Sequence, residues 1–153
     1  MNTSTQPWLS HYPEGIDWNA AVERRPLFET LEHTASRCAD KTAIDFLDYC
    51  LTYGELLTQV NQAAKGLQAM GVTKGSRVGL CLPNTPYSVI CYYGALRAGA
   101  AVVNYNPLYV ERELAFQIDD SDTEIMITMD LEVLYPKVAA MLSQTESLKK
   151  VIV

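Results

Sequence analysis

The spacing of apolar positions along the chain changes several times, and each change marks an element. Leu27, Leu31, Ala35 and Cys38 recur at helical intervals behind Pro26, a residue suited to a first helical position. A first helix is therefore expected to run to about Asp40. A short strand, Thr42–Leu47, follows, with Asp48-Tyr49 as a turn and a return at Cys50–Leu51. Thr52-Tyr53-Gly54-Glu55 then reads as a capping box, whose hydroxyl and carboxylate each accept a backbone N–H that the first helical turn leaves without a partner. Leu51 and Leu56 flank it in hydrophobic-staple register. Leu56, Val60, Ala63, Leu67 and Met70 make an apolar stripe for a sheet, and Gly71 supplies the left-handed stop.

After residue 76 the pattern shifts to short apolar runs with little polar alternation. Arg77–Leu82 reads as a central parallel strand and Ala100–Val103 as a strand buried on both faces; Glu124–Met129 and Lys149–Val153 are two more strands. Thr85-Pro86 opens the helix between the first two, whose segment Val89–Tyr93 is apolar nearly all round and so expected to be deeply buried. Gly94-Ala95 would let that helix approach the sheet closely, and Gly99 closes it. Val110, Leu114 and Ile118 mark the next helix face; a last helix spans roughly Leu131–Leu142, with Pro136 confined to its start or a kink. Strand–helix alternation three times over, closing on a strand, predicts a doubly wound, mainly parallel α/β sheet with helices on both faces. Residues 1–25 have no clear period. They are expected to form an extended N-terminal arm ahead of an α/β portion over 26–153. Trp8, Tyr12, Ile16 and Trp18 would anchor the arm to the body, with packing on a second subunit as the alternative.

Composition changes this picture little. A chain of 153 residues, 48% apolar and 20% charged, can bury a core and suggests neither disorder nor a membrane span. A net charge of −6 would repel a phosphate backbone, and Arg24-Arg25 and Lys149-Lys150 are too short to offset it, so no nucleic-acid partner is expected. Cys38, Cys50, Cys81 and Cys91 form no C-x-x-C and have no nearby His to complete a zinc set. Cys81 and Cys91, inside apolar runs, read as small core residues. The first twenty residues lack the basic and apolar regions of a secretory signal, so the sequon Asn2-Thr3-Ser4 has no meaning and a reducing cytoplasm is expected.

Candidate chemistry is sparse. In an open α/β sheet ligands sit beyond the carboxyl ends of the strands, which directs interest to Val102–Leu114. There a strand meets Asn104, crosses Asn106-Pro107 and enters a helix at Glu111-Arg112-Glu113. Asn104, Asn106 and Tyr109 are the side chains in that stretch considered for a substrate contact. Asn106-Pro107 would fix the turn, Pro by presetting φ and Asn by bonding local backbone. Lys74-Gly75-Ser76 precedes a strand where a phosphate loop would follow one, and neither G-x-G-x-x-G nor G-x-S-x-G occurs. His11 and His33 have no nucleophile beside them in sequence. The strand ends Leu82-Pro83-Asn84 and Asn104-Tyr105-Asn106 hold no carboxylate to accept a phosphoryl group. Asp119-Asp120-Ser121-Asp122 reads as a turn and not as a metal site. No catalytic, cofactor-binding or metal-ligating residue is assigned.

The segments LTYGEL, GVTKGSRVGLCLPN, GALRAGAAVVNYNPLY and EREL are individually short, but their order and spacing together are specific. From about Trp8 to Val153 the chain resembles the opening of the acyl-adenylate-forming enzymes. WLSHYPEGI and NPLYVEREL resemble bacterial long-chain fatty-acid–CoA ligases more than luciferases, aryl-CoA ligases or peptide-synthetase adenylation domains. The resemblance implies an incomplete N-terminal part of that family's large domain. It implies a parent enzyme that joins ATP and a fatty acid into an acyl-adenylate with release of pyrophosphate, whose AMP the thiol of CoA then displaces. ATP, Mg²⁺ and CoA, the fatty acid and the remainder of the chain are the implied cofactors and partners; a homodimer and peripheral contact with the inner face of the membrane are further expectations. The family's phosphate loop, adenine segment, ribose-binding Asp and late Lys would all lie beyond Val153, so residues 1–153 alone are expected to be inactive. The alternative is a stand-alone α/β interaction or regulatory module without catalysis.

A chain that stops inside a strand is also expected to leave a sheet edge and an apolar face open, and so to self-associate or be marginally stable. Sedimentation combined with thermal melting checks this; a cooperative melt from a purely monomeric species is the contrary result.

Overall fold

In the computed structural model, which describes residues 6–153, the elements follow the order expected from the sequence. The sequon at 2–4 lies outside the described residues. Helix α1 (Leu27–Cys38) leads into a hairpin of β1 (Thr42–Phe46) and β2 (Tyr49–Thr52), and then α2 (Tyr53–Ala69). From there the chain alternates: β3 (Arg77–Leu80), α3 (Pro86–Ala98), β4 (Ala101–Asn104), α4 (Glu111–Asp120), β5 (Ile125–Ile127), α5 (Tyr135–Gln144) and β6 (Lys150–Ile152). The last four strands form one parallel sheet in the order β4-β3-β5-β6.

Alternation along the strands loads both faces of that sheet. Val78, Leu80, Ile125 and Ile127 pack against Ala64 and Leu67 of α2 and Ala95 and Ala98 of α3. On the other face Cys81 and Met126 meet Leu114 and Ile118 of α4 and Val138 and Met141 of α5. A third cluster, Leu31, Leu51, Leu56, Val60 and Ile90, seats α1 and the hairpin on the outer side of the α2–α3 layer. Helices therefore cover both faces, and the fold is doubly wound α/β.

The helix starts and stops follow local chemistry. The Thr52 N–H donates to Glu55 Oε2 at 2.8 Å and the Glu55 N–H donates to Thr52 Oγ1 at 3.2 Å, with buried Leu51 and Leu56 on either side. The bonds from the Thr52 backbone and hydroxyl favour the carboxylate and hold the Glu55 carboxyl below its ordinary value. Gly71 and Gly99, both at φ +97°, take the left-handed conformation that ends α2 and α3.

Five features differ from the sequence expectation. The hairpin turn is Leu47-Asp48, both at positive φ, and Tyr49 already belongs to the return strand. A two-residue connection needs that twist to match its strands. Strand β4 lies at an edge: Ala101 and Asn104 are exposed, Val102 and Val103 half-buried, and among the described residues no strand pairs with its outer side. Its apolar run reflects helices above and below, not flanking strands. Helix α3 is buried unevenly, with Ile90, Gly94, Ala95 and Ala98 inside but Tyr92 and Tyr93 half-buried. Gly94 serves its approach to α2 and not to the sheet, because a Cβ there would stand 2.8 Å from the Ala63 Cβ. Finally, the arm aromatics pack on one another: Trp18 lies 5.0 Å from Tyr12 and 6.3 Å from Trp8 between ring centroids, and all three stay exposed, as does Ile16.

Gly66 and Gly94, both inside helices, make a test pair. Gly94→Leu is expected to lower unfolding free energy in a denaturant titration by about 1–3 kcal/mol through overpacking against α2. Gly66→Ala, at an open position inside α2, is expected to raise it by roughly 0.5–1 kcal/mol.

Candidate functional site

Adjacent strands β3 and β5 send the chain to opposite faces, β3 into α3 on one side and β5 into α5 on the other. That divergence is the topological switch point of an open sheet, where a crevice opens beyond the carboxyl ends. Pairing persists just past the strands. The Cys81 N–H donates to the Ile127 carbonyl at 2.9 Å, and the buried Thr128 hydroxyl donates to the Cys81 carbonyl at 3.2 Å. On the other flank of β3 the Tyr105 N–H donates to the Leu80 carbonyl at 2.9 Å.

Beyond these bonds the segments after β3 and β4 part around a cleft of about 370 Å³. Leu80 and Leu82 line it from β3 and its extension, Asn84 from the loop, Tyr92 and Tyr93 from α3, and Asn104 from the end of β4. Ser88 also reaches it, but its hydroxyl is engaged at the start of α3, accepting the Thr85 N–H at 3.3 Å and donating to the Thr85 carbonyl at 2.6 Å. The Thr85 hydroxyl itself is buried without a partner. The lining thus combines an apolar and aromatic wall with two free-standing amides, a surface that can orient a ligand having both apolar and hydrogen-bonding parts.

The three side chains singled out from the sequence do not come together. Asn104 lines the cleft. Asn106 does not: its Oδ1 accepts the Leu108 N–H at 3.0 Å and its carbonyl accepts the Tyr109 N–H at 3.0 Å, so it shapes the turn. Tyr109 packs against the α4–α5 core and borders a separate groove beside Arg112 and Phe116. Sequence reasoning passed over Asn84, Tyr92 and Tyr93. Asn84 carried a signal as the first polar side chain after the run that ends at Leu82, whereas the tyrosines read simply as part of a buried helix.

Between the two asparagines, Tyr105 turns inward. Its ring lies over Gly79, where an added Cβ would meet it at 2.8 Å. Its hydroxyl donates to Thr123 Oγ1 at 2.7 Å and stands 3.0 Å from Ser121 Oγ; burial pushes the phenol up despite both bonds. The acidic run at the end of α4 is structural. Asp119 Oδ1 accepts the N–H groups of Glu146 and Ser147 at 3.1 and 3.2 Å, and Asp122 lies 3.6 Å from Arg77. The residues present do not fit the divalent cation that the family resemblance implies. The cleft offers amides, hydroxyls and phenols but no carboxylate, and no group of three or more His, Cys, Asp or Glu converges among the described residues.

The sheet and its crevice define a class: a doubly wound α/β protein with a cleft at the carboxyl ends of its strands. Residues 31–153 match the family described as AMP-binding enzyme, and the chain belongs to that family. It is 44% identical over 138 residues to a long-chain-fatty-acid–CoA ligase of Bacillus subtilis, covering 90% of this chain and 24% of that protein. A long-chain-fatty-acid–CoA ligase of Salmonella typhimurium is 38% identical over 122 residues, or 78% of this chain and 22% of that one. Among solved structures, a fatty acyl CoA synthetase of Mycobacterium tuberculosis superposes with a TM-score of 0.74 at 26% identity, over 82% of this chain and 26% of that chain. The chain spans about a quarter of the length of the relatives it matches.

The cysteines report on the packing behind the crevice. Burial raises the thiol of fully buried Cys81 from 9.0 to about 11, against a smaller opposing effect of the Lys137 charge, and burial raises Cys91 as well. Cys38 and Cys50 are exposed, but desolvation and then the Asp45 charge raise the Cys50 thiol. Only the thiolate reacts, so a raised value slows alkylation. Iodoacetamide at neutral to mildly alkaline pH is expected to label Cys38 first and Cys50 next, with Cys91 and Cys81 reacting only on unfolding, as followed by peptide mass spectrometry. The stability that Cys81 contributes by staying neutral is whole below pH 9 and is lost as pH rises to about 11, because the unfolded thiol ionises first.

Proposed function

We propose that this chain is the N-terminal portion of a long-chain fatty-acid–CoA ligase. The observation that carries the reading is 44% identity with such a ligase across 90% of the chain. In the proposed reaction a fatty carboxylate oxygen attacks the α-phosphorus of ATP, and pyrophosphate leaves. The thiol sulfur of CoA then attacks the acyl carbon, the bond to the AMP oxygen breaks, and the thiol proton passes to solvent. Activation is needed because a carboxylate is a poor acylating agent, whereas the mixed anhydride carries a good leaving group.

Within this reading residues 1–153 build a wall and not the reacting centre. Asn84 and Asn104 offer amides at the crevice, Leu80, Leu82 and Tyr92 give it an apolar side, and the turn at 106–109 bounds it. The groups that bind the phosphates, neutralise their charge and contact the carboxylate belong to polypeptide beyond Val153, and the segment 1–153 is inactive alone. A reducing cytoplasm is the proposed compartment, supported by four free cysteines among the described residues. Homodimer formation and peripheral contact with the inner face of the membrane belong to the same reading through the family resemblance alone.

Acid-dependent ATP–pyrophosphate exchange tests it. Residues 1–153 are expected to give none, and the protein carrying the downstream sequence is expected to exchange with long-chain acids. An extended protein that exchanges with no acid would overturn the ligase reading, and exchange by 1–153 alone would overturn its role as a wall.

A further inference from the structure

The turn at 106–109 owes its shape to local bonds, but local bonds do not decide where it stands against the sheet. Asn106 closes the turn through its side chain and its carbonyl, and Pro107 presets the backbone. Placement comes from elsewhere in the chain. Gln117 of α4 donates its amide N–H to the Asn104 carbonyl at 3.1 Å, ahead of the turn. Lys137, in the first turn and a half of α5, donates to the carbonyls of both Pro107 and Tyr109, the latter at 2.8 Å. These two carbonyls lie about thirty residues earlier in the chain and converge on one half-buried ammonium. None of the ion pairs among the described residues involves Lys137, so these carbonyls are what the structure offers its charge.

We propose that Lys137 is a positioning residue that clamps the 106–109 turn from behind and so sets the crevice wall formed by Asn104, Tyr105 and Pro107. An ammonium has three donors and no acceptor, and bonds from a charged donor are about twice as strong as neutral ones, so one lysine can hold two turn carbonyls at once. An apolar side chain at 137 would leave both carbonyls facing α5 without a donor from that helix. The clamp deepens the ligase reading and rests on it only where it concerns substrate.

The experiment compares Lys137→Met and Lys137→Arg with the parent sequence in the protein that carries the downstream sequence. Hydrogen exchange of the peptide spanning 104–114 reads the turn directly, a thermal melt reads the whole fold, and steady-state assays read KM and kcat for ATP, a long-chain acid and CoA. Lys137→Met is expected to speed exchange at Leu108–Glu111 about tenfold while the melt moves by only a few degrees. It is also expected to raise KM for at least one substrate about tenfold with kcat within about twofold. Lys137→Arg, whose guanidinium also spans two carbonyls, is expected to restore both. A folded Lys137→Met protein with unchanged turn exchange overturns the clamp, as does a Lys137→Arg protein that behaves like it. If Lys137→Met does not fold, Lys137→Gln, with one amide to donate, takes its place under the same criteria. Faster turn exchange in an extended protein with no ligase activity supports the clamp while the ligase reading falls.

Discussion

Strand β3 is bonded along both edges and packed on both faces, and this double constraint organises the rest of the sheet. Val78 and Leu80 point into the α2–α3 layer, Gly79 and Cys81 into the α4–α5 layer, and β4 and β5 pair on either side in register. A slip of one residue would exchange those faces and drive large side chains into the α4–α5 layer, where Met126 and Tyr105 already fill the space over Gly79. Gly79 adds a steric condition. Met126 and Tyr105 lie where its Cβ would be, so the α4–α5 side closes over the strand only because position 79 has no side chain. The cleft opens on the β4 side of the same strand, where the segments that follow β3 and β4 part.

The strand end after β4 divides its residues between chemistry and support. Asn104 faces the cleft, Tyr105 reaches under the sheet end to Thr123, and Asn106 spends its side chain on the turn. This alternation explains how a stretch rich in polar and aromatic residues can hold a single free amide for a ligand. The turn itself combines local closure with the Lys137 and Gln117 contacts, each from a helix of the layer on that face. The parts of this wall are thus held by different elements of the fold.

Several expectations survived because their causes are local. The capping box at Thr52–Glu55, the left-handed stops at Gly71 and Gly99 and the proline at the start of α5 need only residues within a turn of one another. The doubly wound order was legible for a similar reason, as each apolar run reports its own burial. The edge position of β4 was not. Helices on two faces and strands on two sides leave the same apolar run, and only pairing distinguishes them. The arm aromatics misled in the same way, since large apolar residues without a period do not say whether they meet the body or one another.

The sequence alone determined the elements, their order, the two-sided winding and, through the order of its motifs, the family. Those depend on hydrogen bonds and burial patterns that repeat within a few residues. The tertiary structure alone decided that Gly94 exists for Ala63, that Asn84 and Asn104 share a cleft while Asn106 and Tyr109 turn away, and that Lys137 stands behind the turn at 106–109. The Gly94–Ala63, Asn84–Asn104 and Lys137–turn pairings join residues about twenty or more apart in the chain, fixed by how strands pair and helices stack, and spacing along the sequence carries no record of them.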